Sequence, residues 1–324
     1  MKTAVLRLSA VAAFLAVMAV SATAQTPGVP SAAPVPTDVN KVEIRATKVS
    51  SNFYAIEGFN CPRLSSCGTV GALVGPDGVL LVDSGSYPEV TGKIVAAVRQ
   101  ITDRPIRFMI NTHVHGDHTA GNENLGNMGV LIFAREELRH ALASPAPAAN
   151  GSPTPPAPPA ALPVVTYQGR MTIHMNGEDV EAIPIPVAHT NGDTMVRFPT
   201  ADLIMTGDFF RNLGYPDMNR ASGGTLKGML DGLGVLIGLA GPNTKVIPGH
   251  GAITDRARVI AFRDMLLVLR DRVADLIQQG KTVDEIVAAH PNADYDERLV
   301  LSTRGAGASE ATLRQLYAEL KGAK

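Results

Sequence analysis

Three histidines and an aspartate fall within six consecutive residues, His113-Val114-His115-Gly116-Asp117-His118, in a chain of 324 residues that holds only eight histidines. They follow the apolar stretch Ile106–Ile110, which reads as a short strand, so a loop at a strand end can aim several side chains into one cleft. A polar turn has no need of so many imidazoles. Imidazole nitrogen and carboxylate oxygen are preferred ligands of zinc and similar borderline metals. Four such groups on one loop cannot easily reach a single ion at about 2 Å, so two ions fit better and further ligands are expected elsewhere in the chain.

Three positions supply them. His189 lies in Val187-Ala188-His189-Thr190-Asn191-Gly192-Asp193, and His250 in Ile247-Pro248-Gly249-His250-Gly251, each after an apolar strand. Asp208 ends Leu203-Ile204-Met205-Thr206-Gly207-Asp208, and a carboxylate with two oxygens can bridge two cations. His140, His174 and His290 fall in a helix, a strand and a helix end without partners, and read as surface or packing residues.

The rest of the chain alternates strands with helices. Strands are expected at Phe53–Ile56, Thr69–Val74 and Val79–Val82, as a meander turned by Gly75-Pro76-Asp77-Gly78, and at Val130–Phe133. Thr172–Met175 joins Val180–Ile185 through Asn176-Gly177, a strong hairpin signal, and Thr194–Phe198 and Leu203–Thr206 extend that second sheet. Val90, Ile94, Val98 and Ile101 recur at helical spacing, as do Val259, Phe262, Leu266, Leu269, Val273 and Ile277 up to Gly280. Thr282 and Glu285 form a capping-box pair, and a last helix is expected over roughly Ser309 to Leu320. The fold class is therefore α/β, with two packed sheets and helices outside.

Lys2 and Arg7 precede the apolar run Ala10–Val20 and the small-residue pattern Ala22-Thr23-Ala24, the layout of a signal peptide cleaved after Ala24. The run is too short for a permanent membrane anchor, so a secreted or periplasmic protein is expected. Residues 25–40 read as a Pro/Ala-rich tether, and residues 41–324 as one domain. Ser144 to Pro163, with eight prolines, reads as a surface insertion, because chemistry-bearing residues lie on both sides of it. Export would expose Cys61 and Cys67 to an oxidising environment; a disulfide between them and a pair of free thiols both stay open. A net charge of −1, or −3 without the first 24 residues, offers no basic field for nucleic acid, and 5% aromatic content argues against base-stacking surfaces. The expected partner is a small-molecule substrate; oligomeric state is not legible.

Taken together, the motifs resemble those of the metallo-β-lactamase superfamily of binuclear metallohydrolases over about residues 45–255. The match comprises Val82-Asp83-Ser84-Gly85, the His113 to His118 signature, His189, Asp208 and His250. The resemblance implies a four-layer αβ/βα sandwich with two zinc ions between the sheets. It implies one ion on His113, His115 and His189, the other on Asp117, His118 and His250, and Asp208 bridging them. Asp83 would support the ligand loop through hydrogen bonds. A water activated by the ions would attack the carbonyl of a cyclic amide (β-lactam), lactone, ester or thioester, with Asp117 orienting it and taking up its proton. Asp208 stands where β-lactamases of one exported subclass carry a cysteine ligand. Arg211 matches the spacing of that subclass's substrate-binding lysine, or is a solvated surface charge. The stretch around Phe59–Cys67 occupies the place of a flap over the site. Phe59, Phe209, Phe210 and Tyr215 either line the cleft or pack, and Gly223-Gly224 either offers anion-binding amides or simply leads into a helix. Two alternatives use the same fold or ligands: a mononuclear iron enzyme like the persulfide dioxygenases, and a zinc-binding protein without catalysis.

Overall fold

The sandwich is built around inner strands, such as Gly78–Val82 and Leu203–Met205, whose two faces are both buried. The computed structural model of the chain describes residues 38–61, 67–147, 153–299 and 306–322. The expected leader, most of the tether and residues 62–66 of the expected flap lie outside the described residues. In chain order the first half holds β1 (Glu43–Lys48), β2 (Phe53–Phe59), β3 (Val70–Gly75), β4 (Gly78–Val82), α1 (Pro88–Ile101), β5 (Ile106–Ile110), α2 (Gly116–Thr119), α3 (Asn122–Asn127), β6 (Leu131–Arg135) and α4 (Glu136–Ala143). Then come β7 (Ala146–Pro147), β8 (Pro153–Thr154), β9 (Val165–Tyr167), β10 (Met171–Met175), β11 (Glu178–Pro184), β12 (Thr194–Phe198) and β13 (Leu203–Met205). The chain continues through α5 (Leu226–Leu239), β14 (Lys245–Ile247), α6 (Arg256–Gln278), α7 (Val283–Ala289), α8 (Ala293–Leu299) and α9 (Ala306–Gly322).

Among the described residues the larger sheet has the order β1-β2-β3-β4-β5-β6-β9, and the smaller β10-β11-β12-β13-β14. Alternation explains their packing. Along β4, Leu80 and Val82 point into the core between the sheets, while Val79 and Leu81 point outward under α1. Along β13, Leu203 and Met205 face the inter-sheet core and Ile204 faces the cluster formed with α5 and α6. Helices therefore cover the outer face of each sheet, which gives the expected four layers. Phe53 and Phe198 meet edge-on across the middle, ring centroids 4.7 Å apart.

Strand direction decides where the site forms. β4, β5 and β6 run parallel, so the loops after β4 and β5 leave the same edge. In the second sheet β11 and β14 run the same way as β13, because β11 and β12, and β12 and β13, are antiparallel while β13 and β14 are parallel. The loops after β11, β13 and β14 thus also share one edge. Thr194 N–H donates to the Thr112 carbonyl at 2.7 Å, and Thr69 N–H to the Gly249 carbonyl at 2.9 Å, holding the two edges together.

Most expected elements hold within a few residues. Asn176 and Gly177 both have positive φ, as the predicted hairpin requires, and the Thr282–Glu285 capping box is formed in both directions. Four readings change. β1, an edge strand with five of six residues exposed, was not expected, since it carries no apolar alternation. The end of the tether is docked: Val39–Lys41 form a 3-10 turn whose carbonyls accept from Lys93 Nζ. The proline-rich stretch does not stay wholly on the surface, because Ala161 is buried and its carbonyl accepts from Asn122 Nδ2. His174 is exposed, as expected, but it has a partner in Asp179 at 2.6 Å. Cys61 and Cys67 are joined by a disulfide, with Cα atoms 5.7 Å apart.

Candidate metal centre

The loop after β5 is shaped by one buried carboxylate. Asp83, just past β4, sits in the left-handed region at φ 64°, a conformation that costs energy for a side-chain-bearing residue and persists only where surroundings hold it. Its holders are the Thr112 N–H, the Thr112 hydroxyl and His118 Nδ1, all at 2.7 Å. Because the Thr112 hydroxyl donates to Asp83, it must accept from His113 Nδ1, 3.1 Å away. Both His113 and His118 thereby present a bare Nε2 to the cleft when neutral. His189 Nδ1 donates to the Asp217 carbonyl and is set the same way. Asp193, which ends the Thr190-Asn191-Gly192-Asp193 turn, accepts from the His189 and Thr190 amides and fixes the backbone at that ligand.

The structure brings the sequence-predicted residues into two adjoining groups. His113, His115 and His189 offer nitrogens within 4.8 Å of one another, and so do the ligand atoms of Asp117, His118, Asp208 and His250. Asp208 faces both: Oδ1 lies 3.4 Å from His118 Nε2, and Oδ2 lies 3.4 Å from His250 Nε2 and 3.8 Å from His189 Nε2. Gly249 makes this approach feasible, since a Cβ there would stand 2.1 Å from Asp208 Oδ1. Gly68 does the same for the His113 to His118 loop, where a Cβ would stand 2.4 Å from the Asp117 carbonyl.

The donor set fits divalent cations. Among the described residues, buried His113 Nε2, His118 Nε2 and Asp208 Oδ1 have no hydrogen-bond partner, and leaving each unsatisfied costs about 1–3 kcal/mol. His189 Nε2 and His115 Nδ1 converge to 2.9 Å on the same side of the cleft. A cation at each group would give the unpartnered atoms a partner. Burial, reinforced by neighbouring His118 and His189, holds His113 well below the ordinary imidazole value, and burial beside His189 takes His115 down to about 4. Both are neutral ligands at pH 7. Burial works against the charge on Asp117 and Asp208, yet His118 and the hydrogen bond from His250 hold Asp117 low, and His250, His118 and Arg211 hold Asp208 low. Burial likewise opposes charge on His118, but Asp83, Asp117 and Asp208 outweigh it and raise its value well above 6.5. The field that would keep a proton there attracts a metal ion equally.

A cavity of about 470 Å³ opens onto the two groups, with Ser86 and Tyr87 on one side and Arg211, Asp217 and Asn219 on the other. Arg211 is not a solvated surface charge: it is 5% exposed, with Nε 3.7 Å from Asp208 and Nη1 3.9 Å from Asp217. Phe209, Phe210 and Tyr215 are buried in the core under α5 and α6, while Phe59 is half-buried beneath the Arg45 guanidinium. Gly224 belongs to backbone packing, a Cβ there standing 2.3 Å from the His189 carbonyl. The sequence reading missed Thr112, Asp193, Asp217 and Asn219. Only Asp193, closing a turn beside His189, carried a local signal; the others reach the site through the fold.

The sequence profile of the metallo-beta-lactamase superfamily matches residues 65–262. The chain belongs to the metallo-beta-lactamase superfamily. Solved structures share the superfamily fold: the metallo-beta-lactamase from Pontibacter korlensis is 19% identical, with 69% of this chain and 99% of that chain covered at a TM-score of 0.59. The stereoselective inverting sec-alkylsulfatase Pisa1 from Pseudomonas sp. is 17% identical, covering 87% of this chain and 51% of that chain at a TM-score of 0.65. At these identities the likeness is one of fold. A linear primary-alkylsulfatase of Pseudomonas sp. (strain ATCC 19151) is 35% identical over 69 residues, 19% of this chain and 13% of that protein, so the match spans a small part of that relative's length.

Proposed function

We propose that the chain is a metal-dependent hydrolase that cleaves a small molecule at a cyclic amide (β-lactam), lactone, ester or thioester bond. We further infer two zinc ions, one held by His113, His115 and His189 and the other by Asp117, His118 and His250, with Asp208 between them. The observation that carries this reading is the single carboxylate of Asp208 within 3.8 Å of a histidine from each group. When bound, the ions supply a water acidified to near neutral pH and polarise the bond to be broken.

The chain's own residues do the rest. Asp117 stands at the mouth of the site with its side chain partly exposed; one of its oxygens, 2.9 Å from His250 Nε2, would share the ion with that nitrogen, leaving the other to orient the attacking water and receive its proton. Asp83 and the Asp217 carbonyl keep the imidazoles of His118 and His189 in the tautomers that ligation requires, and Asp193 fixes the backbone at His189. Arg211 lends positive charge to the cavity wall that Asp117 and Asp208 would otherwise make strongly acidic. A sulfate ester is the second substrate reading, favoured by the 35% identity to an alkylsulfatase. Export by a cleaved leader, residues 1–24, is supported by its charge and apolar pattern and by the Cys61–Cys67 disulfide, which suits an oxidising compartment.

The test is a panel on the purified protein with its metal content measured: a chromogenic cephalosporin, an aliphatic lactone, a glutathione thioester and a linear alkyl sulfate. About two zinc ions per chain and turnover of one bond type are expected. No turnover of any substrate at full zinc loading overturns the hydrolase reading, and a single bound ion overturns the binuclear one.

A further inference from the structure

The site's far wall, the loop between Asp208 and α5, is not braced by the sandwich alone. It is gripped from behind by helices beyond residue 262, where the superfamily match ends. Tyr215 Oη donates to Asp296 Oδ1 at 2.6 Å and accepts from Asn292 Nδ2 at 3.0 Å. Asn292 Nδ2 also reaches Ser309 Oγ at 2.7 Å, and Ser309 Oγ donates to Asp296 Oδ2 at 3.2 Å. Asn292 is fully buried and Tyr215 and Ser309 nearly so, with only Asp296 part-exposed, which stiffens the geometry of the network. A second tie lies nearer the surface, Arg220 to Glu319 on α9 at 2.9 Å.

Between these two anchors the loop delivers its contacts to the metal centre. The Asp217 carbonyl accepts from His189 Nδ1, Asn219 Nδ2 stands 2.9 Å from His115 Nε2, and Asn219 N–H donates to the His189 carbonyl at 3.0 Å. Two of the three histidines in one group are thus held by residues two and four positions beyond Tyr215. Groups that orient a ligand from behind change metal affinity or activity about 10- to 100-fold when removed.

We propose that Tyr215, Asn292 and Ser309 are positioning residues through which α8 and α9 set the geometry of the three-histidine group. The proposal rests on the reading that this group holds a metal ion. The C-terminal helices then serve the site as well as covering the sheet, and loosening their grip weakens one metal position without touching a ligand.

The experiment titrates zinc into metal-free full-length protein against a chromophoric chelator, for the parent chain, Tyr215→Phe, Ser309→Ala and Thr282→Ala. Thr282→Ala removes the α7 capping box, whose bonds run between Thr282 and Glu285, and serves as a destabilised control. Hydrogen exchange at the Asn219 amide is followed in the same metal-free samples. One of two zinc affinities falls about tenfold in Tyr215→Phe and severalfold in Ser309→Ala, with faster Asn219 exchange, while Thr282→Ala keeps both affinities. Should Tyr215→Phe not fold, Ser309→Ala, which suits a helix at least as well as serine does, carries the test. Wild-type affinities in the folded variants, or an equal loss in Thr282→Ala, overturn the proposal while leaving the hydrolase reading intact. Failure of the parent chain to bind zinc removes both.

Discussion

Replacing Asp83 with Asn tests the logic of the metal centre without altering a ligand. Asparagine tolerates the left-handed backbone as well as aspartate does, so the φ of 64° adds no new strain. The amide has one acceptor oxygen where the carboxylate has two, and three donors converge on it: Thr112 N, Thr112 Oγ1 and His118 Nδ1. If the oxygen stays on the Thr112 amide, the new NH2 faces two donors. His118 must then turn its tautomer so that Nδ1 accepts, which places the proton on Nε2, the atom aimed at the metal. Loss of one charge-assisted hydrogen bond in a buried site costs the metal-free protein about 2–3 kcal/mol. Restoring the ligating tautomer costs about 1.4–2.8 kcal/mol of zinc binding, a 10- to 100-fold loss at one ion. Urea unfolding of the metal-free protein and zinc competition titration read the two quantities separately. Unchanged zinc affinity in Asp83→Asn would show that Asp83 does not set the His118 tautomer.

Gly249→Ala should displace Asp208, because its Cβ would overlap Oδ1; zinc stoichiometry by elemental analysis is expected to fall, and full occupancy would refute the close-approach argument. Asp117→Asn and His189→Ala should each lower kcat/KM at least 100-fold while circular dichroism stays that of the parent, and unchanged turnover in either would remove that residue from the mechanism. Cys61→Ser should lower stability by about 2 kcal/mol through the freed loop in the unfolded chain. Its denaturation midpoint checks this, and an unchanged midpoint contradicts it. Phe198→Ala should cost about 3–5 kcal/mol in the inter-sheet core, read by the same method, with less than 1 kcal/mol marking a core that collapses around the gap.

Local chemistry made much of this protein legible before any coordinates. The spacing of His113, His115, Asp117 and His118 is itself a ligand pattern, since residues on one short loop cannot lie far apart. Hairpins such as Asn176-Gly177 and the capping box at Thr282 are likewise written in a few adjacent residues. β1 stayed hidden because an exposed edge strand has no apolar alternation, and the burial of Arg211 stayed hidden because charge alone does not reveal what surrounds it. Tertiary packing settled the remainder: that Asp208 faces both histidine groups, that Asp217 and Asn219 lean on His189 and His115, and that Tyr215 is tied to residues 77 and 81 positions away. Such contacts depend on strands from two sheets ending at one edge and on helices folding back over a loop, and nothing in the neighbouring residues encodes a distance of that kind.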